Sequence, residues 1–122
     1  MYKLSKRSKT NLAGVHSKLV SVVELAIQLT SVDFGISEGL RSEERQQYLF
    51  DTGKSKTMKS RHLDGRAVDV YAYVDGKANW DRVYYERIAL ALYIAADKLN
   101  YKITWGGSWD NFHDLVHFQI ES

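Results

Sequence analysis

The chain has 122 residues, 44% of them hydrophobic and 26% charged, with no cysteine and no proline. That length supports one hydrophobic core and not two, so residues 1-122 are expected to form a single domain. Without cysteine there can be no disulfide, thiolate zinc site, iron–sulfur cluster or cysteine nucleophile, and any metal must be held by carboxylates and the four histidines. The formal charge of +2 is too small to argue for nucleic acid.

Taken in chain order, the segment Met1–Lys9 carries cations, but no apolar core follows, because His16, Lys18 and Ser21 interrupt the next stretch. This is neither a signal peptide nor a membrane span, and synthesis in the cytoplasm without an export signal is expected. Val15, Leu19, Val22, Val23, Ala26, Ile27 and Leu29 recur at helical spacing and predict an amphipathic helix over 11–30, capped by Thr10 or Asn11. Residues 34–38 read as a short strand. Ser42 suits an N-cap, with Glu43 and Glu44 in a first turn and Gly53 as the stop. Residues 54–61 are basic, polar and without period, as in a loop.

From Arg66 to Val74 the pattern alternates, with Val68, Val70, Ala72 and Val74 on one face and Ala67, Asp69, Tyr71 and Tyr73 on the other. Asp75-Gly76 is a turn signal. Asp81 suits the cap of a helix reaching Asn100, with Val83, Ile88, Leu92, Ala95, Ala96 and Leu99 inward. Ile103–Trp105 is strand-like, Gly106-Gly107 breaks it, and Phe112, Val116, Phe118 and Ile120 favour a final strand. Helices interspersed with hairpin-type turns point to an α+β fold, its helices packed on a small antiparallel sheet.

Two segments carry chemistry. In Ser60–Asp69 a histidine, His62, precedes a tight turn at Asp64-Gly65 and then a carboxylate, Asp69, inside a strand. Asp is depleted in strands, and a partly buried carboxylate needs a partner. Taken alone, this segment is most simply a surface histidine and an aspartate paired with Arg66 or a lysine. The second segment is Trp105–Gln119. If Val116, Phe118 and Ile120 face the core, His117 and Gln119 face the other way. His62, Asp69 and His117 then supply three N/O ligands with a fourth position open, the arrangement of a catalytic zinc. Asp114 stands where it can take a proton from water in that position.

A rival lies in His113-Asp114-Leu115-Val116-His117, whose spacing matches a zincin helix with Asp in place of Glu. It works only on a helix, and the surrounding residues favour a strand. Trp105 and Trp109 flank the Gly-Gly turn and are candidates either for the core or for the wall of a cleft.

The Ser60-x-His62-x-x-Gly65-x-Ala67-x-Asp69 segment and Asp114-x-x-His117-Phe118 together resemble the zinc peptidases that cut peptidoglycan stem peptides. These include the VanY-type D,D-carboxypeptidases and the L-alanyl-D-glutamate peptidases used as bacteriophage endolysins. Glu38-Gly39-Leu40-Arg41-Ser42-x-Glu44-x-Gln46 is similar to that family's arginine-containing segment. The resemblance runs from about Gly35 to Phe118 and implies the hedgehog/DD-peptidase-like fold. It implies His62, Asp69 and His117 as Zn2+ ligands, Asp114 as catalytic base, and Arg41 and Ser60 as substrate-binding residues. Val116 stands where the family often has proline, and Gln119 where it often has glutamate. Asp rather than Glu at 114 leans towards the endopeptidase branch.

What the resemblance implies is hydrolysis of the L-Ala–D-Glu bond of the stem peptide and lysis of the host. The enzyme would be made in the host cytoplasm, act on the wall after release, and work as a monomer with no nucleic-acid partner. A D,D- or L,D-carboxypeptidase of the same family is the nearest alternative, and a catalytically silent zinc-binding recognition module is another. A nucleic-acid binder using Lys54, Lys56, Lys59 and Arg61 has no recognised motif behind it.

Overall fold

The computed structural model describes residues 1–110 and 113–121. Asn111, Phe112 and Ser122 lie outside the described residues, and with them the place of Phe112 in the last strand. Four helices, α1 (Lys6–Asn11), α2 (Ser17–Leu29), α3 (Glu43–Asp51) and α4 (Arg82–Leu99), accompany five strands. The strands are β1 (Phe34–Glu38), β2 (Ala67–Val74), β3 (Lys77–Asn79), β4 (Lys102–Trp105) and β5 (His117–Glu121). The sheet runs β1-β2-β5-β4 with every pair antiparallel, and β3 joins β2 as a hairpin. This is the expected α+β fold.

The two faces of the sheet have opposite chemistry. Val68 pairs with Phe118, Val70 with Ile36, and Ile103 with Ile120, and all of them are buried under α2 and α4. On the other face, Asp69 stands directly across from His117 and Ala67 from Gln119. A side-chain period of two makes this unavoidable: with Val68 and Phe118 in the core, Asp69 and His117 must point away from it.

The helix predicted over 11–30 starts later, at Ser17, and a separate helix, α1, ends at Asn11. Ser5 caps α1 through its hydroxyl, and the chain then turns at Gly14 in the left-handed region (φ +83) before His16 Nδ1 caps α2. The periodic residues from Leu19 to Ile27 do face the core, whereas Leu29 is exposed. α1, which begins in the cationic N-terminal stretch, covers the open edge of β1. The Ile36 N–H donates to Ser8 Oγ (2.9 Å), and Asn11 Nδ2 donates to the Ile36 carbonyl (2.8 Å), so the edge is satisfied rather than left to pair with another chain.

Ser42 caps α3 as expected, and Gly53 ends it at φ +77. Asp81 occupies the N-cap of α4 without a side-chain hydrogen bond. Val83, expected inward, is half exposed, because the buried stripe of α4 begins at Tyr85. The Tyr85 hydroxyl ties that helix to the β2–β3 hairpin, accepting from the Ala72 N–H (3.1 Å) and donating to the Asn79 carbonyl (2.8 Å).

Gly65 joins the loop to β2. It has φ +74, and a Cβ there would meet the Gly14 carbonyl oxygen at 2.5 Å, backbone against backbone. Its own carbonyl accepts from the His16 N–H (2.8 Å), which pins the turn to the start of α2. Substitution Gly65→Ala is therefore expected to cost about 2 kcal/mol, from the left-handed backbone together with the clash. Urea denaturation of the metal-free protein measures this, and an unchanged midpoint would show that the turn tolerates a side chain.

Candidate metal centre

Three elements deliver the site. The 3-10 turn Arg61–Asp64 carries His62, and Ser60 caps it by accepting from the His62 N–H (3.2 Å). Gly65 then reverses the chain so that His62 comes back over β2, with Nε2 3.0 Å from Asp69 Oδ1. β5 supplies His117, whose Nδ1 is 3.5 Å from the same oxygen. Donor atoms of His62, Asp69 and His117 all lie within 4.8 Å of one another, in a cluster that could hold a metal ion.

The tautomers follow from the partners. His62 Nδ1 faces the Gly39 carbonyl (2.8 Å), which can only accept, so Nδ1 carries the hydrogen and Nε2 turns its lone pair towards Asp69. His117 Nε2 donates to Gln119 Oε1 (2.9 Å). The amide is held that way round because Gln119 Nε2 donates to Glu121 Oε1 (2.7 Å). His117 Nδ1 therefore also presents a lone pair. Two imidazole lone pairs and a carboxylate oxygen facing one another require positive charge between them, either a proton or a cation. The donor set fits a divalent metal.

Burial by itself would push the Asp69 carboxyl up. Hydrogen bonds from His117 and His62, with their charges, outweigh it and hold the group well below the ordinary carboxylate range. His117 moves the opposite way: burial opposes its charged form, but contacts to Asp69 and Gln119 and the charges of Asp69 and Asp114 raise it above 6.5. Asp114 is raised by burial first and by the charge of Asp69 second.

Asp114 sits in the approach to β5. Its N–H donates to the Gly106 carbonyl (3.1 Å), and its own carbonyl accepts from the His117 N–H (3.2 Å). Gly106 allows this approach, since a Cβ there would meet the Asp114 carbonyl oxygen at 2.4 Å. His113 is exposed and is not in the cluster, and residues 113–116 form no helix, so the zincin spacing has no structural basis. Val116, immediately before His117, extends the ladder by accepting from the Val70 N–H (2.9 Å). The two tryptophans divide: Trp105 is buried against Phe118, and Trp109 lies beside His117 with ring centroids 5.2 Å apart.

Arg41 is buried, and all but one of its guanidinium hydrogens have a partner. Nε and Nη2 grip both oxygens of Glu38 (3.0 and 2.9 Å), Nη1 donates to Gln46 Oε1 (2.8 Å), and Nη2 lies 3.5 Å from Asp69 Oδ2. Glu38 reaches this place through a bulge in β1 that sets it opposite Asp69. Glu38 and Gln46 are the residues sequence reasoning left without a role. Their signal was there, a carboxylate three residues before Arg41 and an amide five after it, but only the bulge and α3 bring them together. His62, Asp69, His117 and Glu38 line a cleft of about 560 Å3 whose walls also include Arg41, Ser60, Trp109 and Asp114.

The family model for phage L-alanyl-D-glutamate peptidase matches residues 1–120, and the chain belongs to that family. It is 30% identical over 122 residues to the L-alanyl-D-glutamate peptidase of Escherichia phage T5, covering 94% of this chain and 89% of that protein. It is 32% identical over 85 residues to the L-alanyl-D-glutamate peptidase of Listeria phage A118, covering 70% of this chain and 29% of that one. Among solved structures, the Serratia marcescens L-Ala D-Glu endopeptidase ChiX superposes with a TM-score of 0.91 at 45% identity, covering 95% of this chain and 87% of that one. The vancomycin-resistance D,D-dipeptidase VanXYg shares the fold at a TM-score of 0.59 and 16% identity, over 87% of this chain and 50% of its own.

The titration of His117 has a sign that can be measured. A histidine raised in the folded state adds stability below its unfolded pKa and loses it as pH climbs through the folded value. Asp69, held low, contributes evenly across this window. The chelator-treated protein should therefore lose thermal stability from about pH 6.5 upwards. With saturating metal the trend should reverse, because protons compete with the metal for the same nitrogens. A chelated protein whose stability is flat or rises between pH 6.5 and 8.5 would contradict this charge arrangement.

Proposed function

We propose that residues 1–122 act as one catalytic domain that hydrolyses the L-Ala–D-Glu bond of peptidoglycan stem peptides, with Zn2+ held by His62 Nε2, Asp69 and His117 Nδ1. The observation that carries this reading is the convergence of those three donors on a cleft that also contains Asp114. Family membership and the likeness to the Serratia endopeptidase support the choice of bond.

Zn2+ in this position would polarise the scissile carbonyl and lower the pKa of water beside it. The chain's own residues do the rest. Asp114 takes the proton from the attacking water and returns it to the leaving amine. Its pKa, raised by burial, suits a group that must hold that proton between the two steps. Arg41 holds Asp69 in place through Nη2 and keeps one Nη1 hydrogen for the substrate carbonyl. Ser60 accepts from the His62 N–H through its oxygen, which leaves the hydroxyl hydrogen for the substrate. Trp109 walls the cleft beside His117 and limits water there.

All of these groups come from a single chain, which supports a monomer as the working unit. Among the described residues, no helix is long and apolar enough to cross a membrane. The substrate places the action at the host wall, where cutting stem peptides leads to lysis.

Replacing Asp114 by Ala should leave zinc bound and reduce turnover by about 10²–10⁴-fold, the usual contribution of a general base. Replacing His117 by Ala should lose metal and activity together. Mass spectrometry of digested peptidoglycan should show new peptides beginning with D-Glu. Full lysis by the Asp114→Ala protein would sink the mechanism, and release of only a terminal residue from the stem would move the assignment to a carboxypeptidase.

A further inference from the structure

A D-glutamyl residue has two carboxyl groups, and whichever one carries the chain onward, the other stays free. At neutral pH it is an anion one residue from the scissile carbonyl, so the cleft must offer it either a cation or open water. Arg41 lies 3.5 Å from Asp69, but its guanidinium already serves both oxygens of Glu38, Gln46 Oε1 and Asp69. Its charge is matched twice over by Glu38 and Asp69.

The other cations of the cleft divide into two pairs. Arg45 leans on Glu38 (3.5 Å) and over the Tyr48 ring, and Arg61 pairs with Glu121 (3.4 Å). Lys54 and Lys59 also line the cleft, both are exposed, and neither has a carboxylate partner among the described residues. Their backbone is nevertheless fixed. The Lys54 N–H donates to the Leu49 carbonyl (2.9 Å), and the Lys59 N–H donates to Thr57 Oγ1 (2.9 Å). Between the lysines, the buried Gln46 donates through Nε2 to Ser55 Oγ (2.8 Å) and to the Thr57 carbonyl (2.5 Å). The same amide accepts from Arg41, so the lysine loop is tied to the residue that steadies Asp69.

Two unmatched ammonium groups on an anchored loop, beside a reacting centre whose arginine has its charge matched by Glu38 and Asp69, suit an anion arriving with the substrate. Resting on the hydrolysis proposed above, the geometry points to Lys54 and Lys59 as the residues that recognise the free carboxylate of the D-glutamyl residue. They act on specificity, binding the substrate on the leaving-amine side of the bond.

The test uses two soluble stem peptides, one with the free D-glutamyl carboxylate and one with that group as its carboxamide. The quantity read is the ratio of their kcat/KM values. The unmodified protein should favour the carboxylate about tenfold, the sum of two exposed charge contacts, with the difference in KM. The double variant K54Q/K59Q should bring the ratio near one, and K54R/K59R should restore it. Raising ionic strength should erode the preference of the unmodified protein, since exposed pairs are screened. A ratio kept by K54Q/K59Q while both peptides are cut more slowly would overturn the assignment and leave the hydrolysis standing. Cleavage of a different bond by the unmodified protein would overturn both.

Discussion

Everything in the site is arranged around one carboxylate, Asp69. It stands directly across from His117 in the β2–β5 ladder, receives His62 from the turn before β2, and has the Arg41 guanidinium 3.5 Å away. A carboxylate so enclosed would be raised by desolvation, yet it is held strongly ionised because the His117 and His62 imidazoles face it. That charge makes the two imidazole lone pairs converge on a place for a cation. Remove it, and His62 and His117, still placed by the Gly65 turn and by the alternation of β5, face one another without the anion that draws a cation between them.

The groups one step further out give the centre its rigidity. The Gly39 carbonyl fixes the His62 ring, and the Gln119–Glu121 pair fixes the His117 ring. Glu38 and Gln46 hold Arg41 from both sides. These partners come from β1, the turn after it, α3 and β5, so the site is a meeting point of four parts of the chain. Gln119 accepts from His117 through Oε1, and the carboxylate of Glu121 holds the amide in that orientation. Val116, lacking the rigidity of proline, has its carbonyl locked by the Val70 N–H.

Much of this was legible in the sequence wherever a local period met a strict geometric rule. The alternation of β2 and β5 is enough to place Asp69 and His117 on the face away from the core, because one residue of slip would bury the carboxylate and expose Val68 and Phe118. The Asp75-Gly76 and Asp64-Gly65 turns were legible from glycine chemistry. What escaped was set by tertiary partners. α1 is basic and has little apolar face, and it forms because Ser8 and Asn11 satisfy the edge of β1. The helical period over 11–30 hides the left-handed turn at Gly14, since Val15 is buried whether or not it is helical. Val83 fits the apolar period of α4 but precedes the point where that helix meets the sheet. The filling of the Arg41 fork depends on a bulge in β1, which no composition or spacing announces.

One divalent ion is expected among His62, Asp69 and His117, with His62 Nε2 and His117 Nδ1 turned towards it. A crystal structure of the purified protein, with anomalous diffraction recorded on both sides of the zinc absorption edge, checks this arrangement. The expected map has a single edge-specific peak bonded to His62 Nε2, Asp69 Oδ1 and His117 Nδ1, with Asp114 outside the inner ligands. A peak bonded to His113, or to His117 through Nε2, or a stoichiometric metal bound elsewhere on the chain, would contradict it.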